Sequence, residues 1–310
     1  MDEATKRALL DSRSLPTIPA VAARILELVR GDCGLADLVP VVSNDPALAA
    51  RLIRYANSPA YARAEPIATI KPALLQLGLD TTVIVALGFS LVDALRPSSS
   101  GTLNYERFWR RALLSAAAAR VLANTLGVTR VEEALLAALL QDIGMMALDR
   151  AGIGVYDGLL DRQSDHLMLS VVERGRAHTS HPEVGAWLLE TWRFPRYVID
   201  AVEKSHALAM LSRAPEAPDL CWCVACSGVL ADAVLEQDPV AFGDALGWAE
   251  PFAPDIATGA EAILEPLREA VTEIDGLFDV SLTTDLMELM NASKELMAER
   301  HVNAATRGAG

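Results

Sequence analysis

The sequence predicts an all-α fold, and three observations carry that expectation. Hydrophobic residues make up 52% of the 310 while aromatics make up only 5%, so the apolar content is chiefly Ala and Leu, the residues that helices accommodate most readily. Apolar residues recur at spacings of three and four, as in Val21, Ile25, Leu28 and Val29. No stretch shows the two-residue alternation of a half-buried strand, and no internal repeat is found.

Each element has a local reason. Leu15-Pro16-Thr17-Ile18-Pro19 is an extended lead-in, and Pro19 suits the first turn of a helix, where a missing N–H costs nothing. Residues 35–43 predict a short second helix that Pro40 distorts or delays. Asn44-Asp45-Pro46 signals a third helix, with Asp45 as N-cap, Pro46 at its first position and Leu48, Leu52, Ile53 and Ala56 on its buried face. Asn57-Ser58-Pro59 ends it. A loop through Tyr61 and Pro66 leads to a short helix at 70–77 closed by Gly78, and Asp80 is read as the cap of a helix at 81–95. Arg96 to Thr102, rich in Pro, Ser and Gly, is read as a linker dividing one helical subdomain, 10–96, from a second, 103–236.

The second group begins with Asn104 as cap of an Ala-rich helix running to Leu126, with Gly127 just past its end. A helix at 131–148 follows, then a less regular region at 150–180. Helices are expected at 182–193 and 195–205, with Pro182 and Pro195 at their starts, and at 219–236. Pro and Gly punctuate 238–254. Helices at 256–275 and 282–300 complete a C-terminal extension, 237–300, and 301–310 reads as a flexible tail.

Composition excludes several functions. A net charge of −14 repels a phosphate backbone and offers no attraction to an anionic membrane, so neither nucleic acid nor membrane is an expected partner. Four cysteines, Cys33, Cys221, Cys223 and Cys226, are too few for a disulfide scaffold in a chain this long. The first residues lack an apolar signal core, and the longest apolar stretch, Val83 to Val92, is far short of a membrane span. The expectation is a soluble cytoplasmic protein. No Walker loop, dinucleotide-binding glycine motif or G-x-S-x-G elbow is present.

The informative site is Gln141-Asp142, at the end of an apolar helix. An aspartate can ligate a metal, but the neutral amide of Gln141 is no substitute for an imidazole. An arginine of the helix at 104–126 can neutralise Asp142 instead, and Arg110, Arg111 and Arg120 stand there. His178, His181 and His206 are weak candidates to join Asp142 around a metal. The plainer reading leaves His178 exposed, gives His181 hydrogen bonds at a helix start and sets His206 at a helix C-terminus. The cysteines at 221–226 read as small buried apolar groups rather than a metal cluster. Asn57, Ser58 and Tyr61, after a helix end, can bind an effector or satisfy loop backbone. Arg110 and Arg111 can meet a phosphate. Leu282, Leu286, Leu289, Ser293 and Leu296 form a heptad-like seam, which packs on its own chain or makes a homodimer through 282–300.

Longer stretches resemble a known family. LPTIPAVAARILEL (15–28), DPALAARLIRYANSPAY (45–61) and IKPALLQLGLD (70–80) are similar to the first part of the HDOD family of bacterial signalling domains. RFWRRALLSAAAARVLA (107–123), LLQDIGMMAL (139–148) and HPEVGAWLLETWRFP (181–195) resemble its second part, which is related to HD-domain phosphohydrolases. The resemblance covers about residues 10–235. It implies two helical subdomains, the second with an HD-like fold, and a regulatory role, because HD metal ligands are usually degraded in this family. Here the first HD histidine falls at or near Arg111, the histidine of His-Asp is Gln141, and the last aspartate falls near Ala225-Cys226. Only Asp142 survives. His181 and His206 resemble histidines of the related HD-GYP phosphodiesterases. The resemblance implies a non-enzymatic module without cofactor that binds a signalling protein, an output domain or a small effector. The alternatives are a divergent metal-dependent phosphohydrolase or phosphodiesterase using Asp142, His178, His181 and His206, and a nucleotide second-messenger sensor that does not hydrolyse.

Overall fold

The cap signals place most helices. In the computed structural model Asp45 accepts hydrogen bonds from Ala47 N and Leu48 N at 3.1 Å, Asn104 from Arg107 N at 3.0 Å and Asp219 from Trp222 N at 2.9 Å, each at the head of a helix. The structure describes the chain apart from residues 2, 12–14, 32, 62–64, 96–101, 153, 160–165, 213–218, 250–251, 253–259 and 294–310. Most of the linker, the end of the last helix with Leu296, and the tail therefore lie outside the described residues. Among those described there is no strand.

The first subdomain contains α2 (Ala20–Arg30), α3 (Leu35–Ser43), α4 (Pro46–Ala56), α5 (Ile70–Leu77) and α6 (Leu79–Leu95), preceded by α1 (Glu3–Asp11). Pro40 lies inside α3 and does not delay its start. Asp80 is not a cap: α6 begins at Leu79, because Gly78, at φ 79°, turns the chain through 114° in a single residue. The α1 helix docks on the other half of the molecule, where Thr5 Oγ1 donates to Ala177 O at 2.7 Å.

The second subdomain is organised around α7 (Tyr105–Thr125). Its Ala-rich stretch is buried and lets α8 (Val131–Leu140) and α14 (Leu220–Glu236) pack against it. The helix expected at 131–148 is two helices, α8 and α9 (Ile143–Arg150), broken at Gln141-Asp142. The irregular region holds α10 (His166–Ala177). Next come α11 (His181–Thr191), α12 (Arg196–Glu203) and a short α13 (Leu208–Leu211). The punctuated stretch after α14 contains α15 (Pro239–Gly247), capped by Asp238. A long α16 (Ala260–Phe278) lies on α7, and α17 is described over 283–293. Of the α17 seam, Leu282, Leu286, Leu289 and Ser293 are buried within the chain, as is Met290 beside them.

No single helix among the described residues is long and apolar enough to cross a membrane. The subdomains join where α6 packs on α8.

One glycine sets how closely the site helices approach. A Cβ on Gly144 of α9 would lie 2.0 Å from His181 O and 2.6 Å from Gly185 N, so α9 and α11 touch backbone to backbone. Gly144→Ala is expected to destabilise the protein by about 3 kcal/mol, at the upper end of overpacking costs. A urea midpoint unchanged from the parent would contradict this helix crossing.

Candidate functional site

Asp142 lies in the break between α8 and α9, 1% exposed, and its side chain does not cap α9. Its Oδ2 accepts from Arg111 Nη1 of α7. The remaining donors of that guanidinium reach α14, with Nε at 2.7 Å from Asp232 Oδ1 and Nη2 at 3.0 Å from Asp232 Oδ2. Gly228, one turn before Asp232, makes room, since a Cβ there would stand 2.9 Å from Arg111 Nη2. Burial alone would raise the Asp142 carboxyl, but the cation of Arg111 and the neighbouring His166 outweigh it and hold the group well below the usual carboxylate range.

The other oxygen, Oδ1, faces three imidazoles. His166 Nδ1 is 3.5 Å away, His181 Nε2 3.4 Å and His206 Nε2 3.6 Å. His166 opens α10, His181 opens α11, and His206 lies three residues past α12. The four ligand atoms lie within 4.8 Å of one another. Asp142 Oδ1 and His166 Nδ1 are buried and have no hydrogen-bond partner among the described residues.

His181 is held from behind. Its Nδ1 is 2.7 Å from Glu173 Oε2, which also accepts its backbone N–H at 2.7 Å, and Tyr156 Oη donates to Glu173 Oε1 at 2.6 Å. Burial would lower the His181 pKa, but Glu173 and Asp142 raise it to about 9. His206 goes the other way: burial first, and then the neighbouring His181, push it well below its ordinary value. The 2.6 Å Nε2–Nε2 contact between them is then a hydrogen bond donated by His181 to a neutral His206.

The structure thus brings Asp142, His181 and His206 together and leaves His178 out. His178 follows the end of α10 in a left-handed conformation (φ 52°), with its side chain exposed. His206 does not serve the end of a helix as a cation; it turns into the cluster. His166 was not among the sequence candidates. Its signal was available: His166 and Glu173 are seven residues apart, two turns along one helix, and both face His181.

The remaining candidates are occupied. Arg110 pairs with Asp285 of α17, and Arg111 is buried between two aspartates. The carboxylate that α14 brings to Arg111 is Asp232, almost two turns beyond the Ala225-Cys226 position, while Cys226 Sγ points to Ala245 O at 3.7 Å. Burial pushes Cys221 up to about 11 and Cys223 to about 12, as expected of packed apolar thiols. Gln141 is fully buried and donates from Nε2 to Ala138 O at 3.1 Å. Asn57 ties its own loop, accepting from Ile67 N and donating to Ile53 O and Ile67 O. Ser58 is buried beside it.

Tyr61 does reach across the molecule. Its Oη donates to Glu132 Oε1 of α8 at 2.9 Å, and Tyr55 Oη of α4 donates to Glu132 Oε2 at 2.8 Å. Arg120 of α7 adds a bond to Tyr55 Oη at 3.0 Å and an ion pair with Glu273 of α16. These groups border a cleft of about 880 Å³ between the subdomains and α16, which Asp80, Glu133 and Glu269 also line.

Comparison with known proteins places this architecture. The HDOD domain model matches residues 15–208. An HDOD domain protein of unknown function from Geobacter sulfurreducens has a similar structure, with a TM-score of 0.67, 22% identity, and 89% of this chain and 97% of that one covered. A proposed phosphohydrolase from Shewanella amazonensis SB2B gives a TM-score of 0.63 at 22% identity, over 87% of this chain and 97% of that one. An uncharacterised protein of Treponema pallidum (strain Nichols) is 25% identical over 223 residues, 70% of this chain; the match spans only 42% of that relative's length.

Arg111→Met removes the counter-charge of two carboxylates and is expected to cost about 3–5 kcal/mol in chemical denaturation at pH 7. The depressed Asp142 pKa sets the sign of the pH dependence. The stability it represents is present above the ordinary aspartate value of about 4 and is lost as pH falls below it. The gap between parent and variant should therefore narrow in acid; equal stability at pH 7 would show that the ion pair contributes nothing.

Proposed function

The chain belongs to the HDOD family, and we propose that it works as a regulatory module of signal transduction and not as a hydrolase. The observation that carries this reading is Arg111. A two-metal phosphoester centre sets ions on both sides of the reacting oxygens. Here the Oδ2 side of Asp142 is filled by a guanidinium bound at its other edge to Asp232. That cation is a permanent partner of both carboxylates, but it has no exchangeable position at which water becomes a nucleophile.

The cleft beside Tyr61 is the proposed docking site. Among the described residues it is lined by five carboxylates, Asp80, Glu132, Glu133, Glu269 and Glu273, against one cationic side chain, Arg120, already paired with Glu273. Such a lining repels a nucleotide phosphate and suits a basic segment of a partner signalling protein or output domain. Binding there acts by shifting the balance between helix arrangements where the two halves meet.

The Asp142 cluster favours the competing reading, a metal-dependent phosphohydrolase, and one assay separates them. Protein preloaded with Mn²⁺ or Zn²⁺ is expected to hydrolyse bis-p-nitrophenyl phosphate and cyclic dinucleotides no faster than buffer containing the same ion. Turnover that disappears in Asp142→Ala would overturn the regulatory reading. For the cleft, a tetralysine peptide is expected to raise the melting temperature at low salt. Cyclic dinucleotides should not raise it, and Glu269→Lys should weaken the peptide effect. Stabilisation by the nucleotides instead would make the module a second-messenger sensor.

A further inference from the structure

We propose that Asp142, His166, His181 and His206 hold one divalent transition-metal ion of the Zn²⁺ class, which latches α9, α10, α11 and the end of α12 together. The geometry is the first reason. An ion bonded at about 2.0–2.1 Å to four tetrahedral ligands sets their donor atoms about 3.3–3.4 Å apart. Asp142 Oδ1 stands 3.4–3.6 Å from a nitrogen of each of the three histidines. These separations are too long for good hydrogen bonds and close to the edges of such a tetrahedron. All three histidine–histidine edges lie within 4.8 Å, and one of them, His181 Nε2 to His206 Nε2 at 2.6 Å, has to open by roughly 0.7 Å when an ion replaces the proton they share.

Unsatisfied polar atoms are the second reason. Asp142 Oδ1 and His166 Nδ1 are both buried, both without a hydrogen-bond partner among the described residues, and 3.5 Å apart. Buried polar groups are ordinarily paired, and two orphans beside one another point to a common ligand. Charge is the third. Once an ion displaces the His181 proton, Asp142, Asp232 and Glu173 stand against Arg111 alone, with two negative charges left over. A divalent ion among neutral imidazoles cancels them.

The backing of His181 completes the site. A metal-bound histidine normally gives its second ring N–H to a carboxylate, which fixes its orientation and tautomer. Glu173 occupies that place at 2.7 Å, and Tyr156 in turn steadies Glu173. Glu173 is a positioning residue here, not a ligand. The ion is single because the opposite oxygen of Asp142 belongs to Arg111. His206, whose side chain keeps 13% exposure, is the point nearest solvent. The site is independent of the regulatory reading above.

The test is metal content and affinity on the full chain. Protein stripped with EDTA, incubated with Zn²⁺, desalted and measured by elemental mass spectrometry should retain close to one ion per chain. Its Co²⁺ form should show the visible absorption of a tetrahedral nitrogen and oxygen site. Glu173→Gln should weaken Zn²⁺ binding about 10–100-fold. His166→Ala should weaken it at least as much, and the exposed His178→Ala should leave it unchanged. Far less than one ion per chain in the parent overturns the proposal, as does full affinity in a folded His166→Ala. If His166→Ala does not fold, His206→Gln supplies the same comparison. One ion per chain without hydrolysis supports both readings. One ion per chain with hydrolysis supports the site and overturns only the regulatory reading.

Discussion

The second half of the molecule depends on one buried cation. Arg111 is 2% exposed, and its guanidinium joins three pieces of backbone: α7, which carries it, the break before α9, which carries Asp142, and α14, which carries Asp232. Burying such a group costs several kcal/mol, and the cost is offset only when most of its donors are matched. The surrounding sequence meets that demand. The alanines of α7 let its neighbours come close, and Gly228 removes the side chain that would collide with the fork. Lysine in this position would lack the planar geometry that serves two carboxylates at once.

That cation also divides Asp142 into two functional halves. One oxygen is committed to Arg111, and the other looks into a space shared with three imidazoles. A scaffold of the HD type is thereby retained with a fixed guanidinium charge against one side of its aspartate.

Much of the fold was legible because caps act locally. Asp45-Pro46, Asn104 and Asp219 each mark a helix start that the structure keeps within a residue or so. The failures share a different cause. The split of 131–148 occurs at Gln141-Asp142, where no proline or glycine interrupts the sequence beforehand; it is imposed by the pairing of Asp142 with a helix 31 residues earlier. Residues 150–180 read as irregular, so the α10 helix within them and its histidine went unseen together. At the site, Asp142 and Gln141 could be singled out from the motif they resemble. The convergence of His166 with His181 and His206 could not, because those residues lie on separate elements whose crossing is fixed by the bare backbone of Gly144 against α11. The docking of Arg110 on Asp285 is likewise a long-range pairing that leaves no local trace.

Glu132 gives the cleft a property of its own. Its two oxygens take a phenol each from Tyr55 and Tyr61, Arg120 grips one of those phenols from α7, and Glu273 of α16 holds the same arginine. Burial above all, and then Glu132, keep both phenols protonated and hence donors. Tyr55 and Arg120 are buried, so loss of a partner strands a polar group there away from water, whereas Tyr61 and Glu132 border the cleft and stay within reach of solvent. One chain of polar contacts thus ties together the first subdomain, the HD-like half and the helix that follows them.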